Sequence, residues 1–276
     1  MLFRSPHLLL KGRSGIRIGH DRIYDHMMLD GLEDAYEPGR AMGTFGEQCA
    51  DKYKFTREAQ DAFATTSVNR AKAATESGAF AAEITPVTVK TRAGDVIVSI
   101  DEGPGKVKLD KIAGLKPAFK KDGTITAASS SSINDGAAAL VLSRESTAKE
   151  LGATPLARIV GHATFAQAPE WFTTAPVGAV KKLLKKIGWT VKDVDLWEVN
   201  EAFAVVPMAA MSELGISHDI VNVNGGACAL GHPIGASGAR IIVTLLYALK
   251  ARGLKKGIAT LCIGGGEGTA LAIELL

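Results

Sequence analysis

Apolar and polar positions divide this chain near residue 154. Beyond Pro155 the pattern switches repeatedly between short strand-like runs and longer runs at helical spacing. It predicts strands over 156–161, 194–198, 220–223, 257–262 and 269–275. Between them it predicts helices over 176–187, 202–214 and 235–252. Strands alternating with helices of this length imply a largely parallel sheet under helical cover. The last two strands, joined by the glycine run Gly264-Gly265-Gly266, imply a mixed edge.

The first half has a different texture. The opening 50 residues lack a sustained period and predict irregular structure with short helices around 22–29 and 46–53. A long helix is predicted to start at the N-cap Thr56, with Glu58 and Asp61 near its positive end. Ala59, Phe63, Val68 and Ala71 or Ala74 give it an apolar side, and Gly78 ends it. Short strands over 83–89 and 95–100 flank the turn Arg92-Ala93-Gly94. The lysine-bearing stretch 101–122 reads as a surface excursion. Ser129 to Gly136 is a polar loop that feeds a predicted strand over 138–142. That loop and strand weakly echo 266–274, as if two related domains each ended on the same element. With no sheet of its own, the strand over 138–142 would expose an unpaired edge, so the first half reads as truncated.

Composition adds little to this picture and excludes several classes. A chain of 276 residues with 46% apolar and 22% charged positions can bury one large core or two moderate ones. A formal charge of +3 is too weak to argue for nucleic acid. Cys49, Cys228 and Cys262 have no regular spacing, which favours reduced thiols in the cytoplasm. Arg4, Pro6 and His7 interrupt the opening segment, so no signal peptide is read there. The apolar run 241–249 is about half the length that would span a bilayer. No metal or resident cofactor is expected: no ligand cluster has zinc spacing, and the glycine run lacks the lysine of a phosphate loop.

Three stretches carry candidate chemistry. His232 lies between two glycine-rich bends, Asn224 to Gly226 and Gly235 to Gly238. Pro233 restricts its backbone, so the imidazole is offered at a defined position for proton transfer. Cys262 ends a predicted strand just before three glycines, where a thiol can face a ligand crevice as nucleophile or proton carrier. Asn200 opens a helix, and its carboxamide could cap that helix or hold a water or an oxyanion. Glu201 is read as orienting the loops, Cys228 as packing, and Cys49 has no supporting context.

With Asn200-Glu201-Ala202-Phe203, Gly231-His232-Pro233 and Cys262-Ile263-Gly264-Gly265-Gly266 in this order, the chain resembles a thiolase. Met42-Gly43-Thr44, Ser131 and Asn134 to Ala138 are also similar to the middle of that family's chains. The resemblance implies reversible Claisen condensation and thiolysis of 3-ketoacyl-coenzyme A, with coenzyme A and its thioesters as substrates and a homo-oligomer as the assembly. It implies catalytic roles for His232, Cys262, Asn200 and the Gly264 amide. Ser131, Met42 and Phe203 would contact the coenzyme A thioester. His232 would activate the nucleophilic thiol, Asn200 would hold a water, Cys262 would move the α-proton, and Gly264 would help form an oxyanion hole. The implied fold is thiolase-like α/β. It has a complete C-terminal mixed-sheet domain over 154–276 and an inserted coenzyme-A-binding loop domain with N-terminal parts over 1–126. Residues 127–153 would close a remnant of the N-terminal α/β domain. On this reading the N-terminal portion with the acyl-accepting cysteine is absent, the isolated chain is inactive, and another polypeptide supplies the missing portion. Inert fragments and non-catalytic acyl-coenzyme-A or lipid carriers are the rival readings. Ala41-Met42 and Phe172 stand where the family's acyl-pocket residues vary, so chain-length preference stays open.

Overall fold

The computed structural model describes residues 5–276; Met1 to Arg4, part of the segment in which no signal peptide is read, lie outside the described residues. The first half contains the strand pair β1 (His7–Leu8) and β2 (Tyr24–Asp25), followed by helices α1 (Met42–Tyr53) and α2 (Arg57–Glu76). An antiparallel hairpin, β3 (Val87–Thr91) and β4 (Gly94–Val98), precedes two short helices, α3 (Gly103–Lys106) and α4 (Glu145–Glu150). The second half runs β5 (Ala157–Ala166), α5 (Ala175–Ile187), β6 (Leu196–Val199), α6 (Val205–Leu214) and α7 (Ala227–Leu230). It closes with α8 (Ser237–Arg252), β7 (Lys256–Ile263) and β8 (Glu267–Leu275).

The principal sheet has the order β5-β8-β7-β6. Only the β6–β7 pair is parallel; β7–β8 and β8–β5 are antiparallel. The sheet is therefore mixed, with less of it parallel than the alternation of strands and helices implied. The reason is local. β6 reaches β7 through helices, which a parallel neighbour requires, whereas Gly264-Gly265-Gly266 reverses the chain in one tight turn. Gly265 and Gly266 take φ of +89° and +91°, and a Cβ on Gly266 would run into the backbone of Gln167 and Ala168.

Alternation along β6 sorts the core into two layers. Trp197 and Val199 face one side with Val177, Val180 and Leu183 of α5 and Val205, Val206 and Ala209 of α6. Leu196 faces the other side, against Ile241, Leu245 and Leu249 of α8. Helix α5 shows why the sequence folds this way. Its apolar positions make one stripe, Lys181, Lys182, Lys185 and Lys186 lie off it, and Gly188 ends it at φ +72°. The first half is an integral layer of this core, since Phe45, Cys49 and Ala50 of α1 and Ile125 join the Trp197 side. The expected N-cap of α2 is present, with Thr56 accepting from the Ala59 amide at 3.2 Å.

Two predicted strands do not form. The segment 220–223 makes only one bridge, Trp197 to Val221. Asn222 turns to φ +48°, and its carboxamide takes the place of a strand neighbour. It accepts from Val199 N and donates to Val199 O, both at 2.8 Å. The segment 138–142 joins no ladder among the described residues, and its Val141 is 99% exposed. The predicted helix start at Ala202 moves to Val205. The Ala202 carbonyl accepts from Ser131 instead, and Phe203 bridges Ser130.

Candidate active site

The C-terminal end of β6 delivers Asn200, which is 1% exposed and whose amide donates to the Thr260 carbonyl of β7 at 3.0 Å. Two residues past Thr260, near the same end of the parallel pair, lies Cys262. Open α/β sheets place ligands at such strand mouths, because the connecting loops diverge there. His232 comes to Asn200 from the loop between α7 and α8. Asn200 Nδ2 and His232 Nε2 are 3.3 Å apart, although 32 residues separate them in sequence.

The imidazole is fixed from three directions. Its backbone N–H donates to Ser132 O at 3.0 Å, tying it to the serine loop. Its Nδ1 lies 2.5 Å from Ser237 Oγ, at the start of α8. The Ser237 hydroxyl spends its proton on Pro233 O, 3.1 Å away, so it accepts from Nδ1–H. That assigns the tautomer: Nε2 carries the lone pair and receives the Asn200 carboxamide. Burial, with the Arg240 guanidinium adding to it, lowers the His232 pKa to about 4, so the ring is neutral near pH 7. A neutral imidazole that keeps its Nε2 lone pair, met only by the Asn200 carboxamide, is equipped to accept a proton.

Asn200 Oδ1 is buried and makes no hydrogen bond within the protein. An unmet buried acceptor at a strand mouth suits a donor that arrives from solvent or ligand. Cys262 is 7% exposed, and burial pushes its thiol up to about 12, so it holds its proton. The exposed Gly264 sits beside Met42, whose Sδ would lie 3.6 Å from a Cβ at that glycine. Ser131 donates from both its amide and its hydroxyl to Ala202 O, each at 3.0 Å. Phe203 packs edge-on against Phe119, with ring centroids 5.8 Å apart. The residues singled out from sequence thus meet in pairs: His232 with Asn200, Gly264 with Met42, and Ser131 with the Ala202–Phe203 backbone. Cys49 is fully buried in the Trp197 core, and burial raises its thiol.

Beneath these groups lies a scaffold that the sequence marked only in part. Glu201 is fully buried and accepts from Ser67 Oγ at 2.7 Å, Asn222 Nδ2 at 2.8 Å and Cys228 N at 3.0 Å. Helix α2, the 222 turn and α7 therefore converge on one carboxylate. A Cβ at Gly226 would overlap that carboxylate, which explains a glycine there. Burial and the same carboxylate hold the Cys228 thiol well above its ordinary range. Ser237, Ser67 and Asn222 were not anticipated. Nothing in their local spacing marks them, since each acts on a residue distant in sequence or across a turn.

The fold and site define an α/β protein with an Asn–His pair and a thiol at the mouths of its parallel strands. Comparison with known proteins identifies the class. Residues 3–146 match the thiolase N-terminal domain and residues 153–275 the thiolase C-terminal domain. The chain is 51% identical over 275 residues to an acetyl-CoA acetyltransferase of Thiocystis violacea, covering 99% of this chain and 70% of that protein. It is 52% identical over 272 residues to a probable acetyl-CoA acetyltransferase of Dictyostelium discoideum, covering 98% and 66%. Among solved structures, the acetyl-CoA acetyltransferase of Bacillus anthracis superposes with a TM-score of 0.93 at 47% identity, covering 98% of this chain and 68% of that one. A thiolase of Ascaris suum in complex with coenzyme A gives 0.91 at 41% identity, covering 100% and 70%. This chain belongs to the thiolase family.

These matches correct three expectations. The first half is not a remnant of an N-terminal domain, because the N-terminal family model is matched from residue 3 to residue 146. The thiolase-like fold therefore has both family domains represented. The inferred loss of the N-terminal portion with its cysteine is withdrawn with it, since that inference rested on where the chain starts. So is the second polypeptide invoked to supply that portion.

Proposed function

We propose that this chain works as an acetyl-CoA C-acetyltransferase, interconverting acetoacetyl-CoA plus coenzyme A with two molecules of acetyl-CoA. The observation that carries the reading is the His232 tautomer. With Nδ1–H held by Ser237, the Nε2 lone pair faces Asn200 at 3.3 Å, beside the unmet acceptor Asn200 Oδ1. Carbon–carbon bond formation between two thioesters needs an α-proton removed and the resulting enolate oxygen met by fixed donors. Cys262 is the group we assign to the α-carbon: its thiol, protonated at rest, delivers a proton to the departing enolate in thiolysis, and the thiolate so formed takes the α-proton in the reverse condensation. A water held by Asn200 faces the thioester oxygen, and the Nε2 lone pair of His232 is placed to take the proton of an attacking thiol such as that of coenzyme A. The backbone amide of Gly264, on the exposed turn beside Met42, faces the second oxygen. Ser131, Met42 and Phe203 border the path of the coenzyme A arm.

Supporting the substrate class are the acetyl-CoA acetyltransferases at about half identity and the coenzyme A complex of the Ascaris suum thiolase. The reading includes a homo-oligomer, in line with the family. No helix among the described residues is long and apolar enough to cross a membrane. A cytoplasmic location is our reading of the reduced thiols.

The test is thiolysis of acetoacetyl-CoA by the purified chain with free coenzyme A, followed as formation of acetyl-CoA. Turnover that falls by about a thousandfold in His232→Ala or Cys262→Ala supports the assignment. Tight binding of the thioester with no turnover by the wild-type chain would overturn it in favour of a carrier.

A further inference from the structure

Behind His232, on the α8 side of the sheet, lies a cluster that the reaction does not use directly. Glu198 is 2% exposed and sits two residues before Asn200 on β6. Arg240 sits three residues after Ser237, in the first turn of α8. Arg240 Nη1 lies 3.7 Å from Glu198 Oε2, and that nitrogen is buried with no hydrogen bond. The two elements joined by this pair are the ones that hold the two ring nitrogens of His232. β6 leads directly into Asn200, against Nε2, and α8 begins on Ser237, against Nδ1. A third element joins them. Glu83, after α2, accepts from Thr244 Oγ1 of α8 at 3.0 Å, and its other oxygen is buried and unpartnered.

We propose that Arg240, paired with Glu198, is a positioning residue for His232: it clasps the strand and the helix that grip the ring and sets a positive charge one helical turn from Ser237. The inference rests on the reading of His232 as the base of the site. Its logic is electrostatic. A buried cation held near an imidazole disfavours a second positive charge there, and a carboxylate on the far side of that cation partly cancels the effect. The groups facing the cluster are few. Burial is the larger cause of the lowered proton affinity of His232, and Arg240 is the charged group that adds to it. Acting on Glu198 are Arg240 and Arg252 of α8, Glu201 beyond β6, and Glu83. Glu83 itself feels Arg240. Burial pushes Glu198 up to about 8 and Glu83 up to about 7, so both take up protons near neutrality although Arg240 acts on each. Arg240 is then least compensated on the acid side, where an imidazole would otherwise protonate.

The experiment is nitrogen-15 NMR of the His232 ring in the full chain, with His232→Ala used to assign the signal. Wild type, Arg240→Gln, Arg240→Lys and Glu198→Gln are titrated from pH 7.5 down to pH 5. The wild-type ring should remain in the neutral Nδ1–H form throughout. Arg240→Gln should raise the ring pKa by up to about one unit, so that protonation begins at the acid end of this range. Arg240→Lys, which keeps the charge, should follow wild type. Glu198→Gln should not raise it, since Glu198 already holds its proton over most of this range. If Arg240→Gln does not fold, the Arg240→Gln/Glu198→Gln double variant removes both charges with little change of volume and should show the same rise. Coincident titrations in wild type and the variants lacking the Arg240 charge would overturn the proposal, as would a wild-type ring already charged at pH 6. Turnover is not read here. A wrong reading of the site would appear separately, as undiminished thiolysis by His232→Ala.

Discussion

Replacing Glu201 by glutamine changes one atom in a fully buried side chain, and the surrounding geometry sets the consequence. Oε2 accepts from Ser67 Oγ and Cys228 N, and Oε1 accepts from Asn222 Nδ2. The glutamine oxygen can serve the first two donors only by aiming its NH2 at the third. Asn222 cannot turn to receive it, because its own carboxamide is locked to both the N–H and the C=O of Val199 at 2.8 Å. The variant therefore loses a hydrogen bond to a carboxylate and buries two opposed donors. A hydrogen bond of this kind contributes about 1.5–3 kcal/mol, and an unmet buried donor costs about 1–3 kcal/mol. The expected loss is roughly 3 kcal/mol, which for a chain of this size lowers Tm by roughly 6–12 °C. Differential scanning calorimetry of Glu201→Gln against wild type measures it directly. Because the loop that carries His232 hangs from the same carboxylate, thiolysis at a temperature where the variant is fully folded should also fall. A variant melting within about 1 °C of wild type would refute the reasoning, since the donors would then have found partners that this geometry denies them.

Other consequences follow from the same residues. Ser237→Ala removes the acceptor that fixes the His232 tautomer, and kcat for thiolysis should fall about 10–100-fold with KM little changed; an unchanged kcat would show that the tautomer is set elsewhere. The unfolded His232 ring takes a proton near 6.5, whereas the folded ring does so only near 4. Its contribution to stability is therefore present above about 6.5 and lost as pH falls towards 4, and a His232→Gln variant should show a shallower acid decline in urea midpoints. Glu198 has the opposite sign. The fold retains a proton up to about 8 that the unfolded chain releases near 4.5, so stability falls as pH rises through that window. Glu198→Gln should gain on wild type steadily from pH 5 to pH 8 in the same urea assay. All three thiols are raised, Cys262 to about 12, so iodoacetamide at pH 8 should label the native chain far more slowly than the urea-unfolded chain, as read by mass spectrometry.

Periodicity by itself determined much of this protein. The stripes of α2, α5 and α8, the buried runs of β6 and β7, and the terminators Gly78 and Gly188 are local signals, and the chain obeys them. His232, Asn200 and Cys262 stood out as candidates from their glycine- and proline-rich settings, and folding brings the first two within 3.3 Å of each other. Tertiary structure decided what local spacing cannot encode. Asn222 ended a predicted strand by bonding its side chain to Val199, and a three-glycine turn reversed β8 into an antiparallel neighbour. The truncated reading of the first half failed for a related reason. It rested on one strand without an apparent partner and on where the chain starts, and the match of residues 3–146 to the thiolase N-terminal domain overturned it; Phe45, Cys49 and Ile125 join the C-terminal core, which only their three-dimensional neighbours reveal. The partners of the imidazole belong to the same category. Ser237 bonds its ring across a turn, and the Glu198–Arg240 pair joins strand to helix over 42 positions. Hydrophobic burial is read along the chain because it depends on the period of one element. Proton affinity depends on which charges and dipoles surround an atom, and folding alone brings those together.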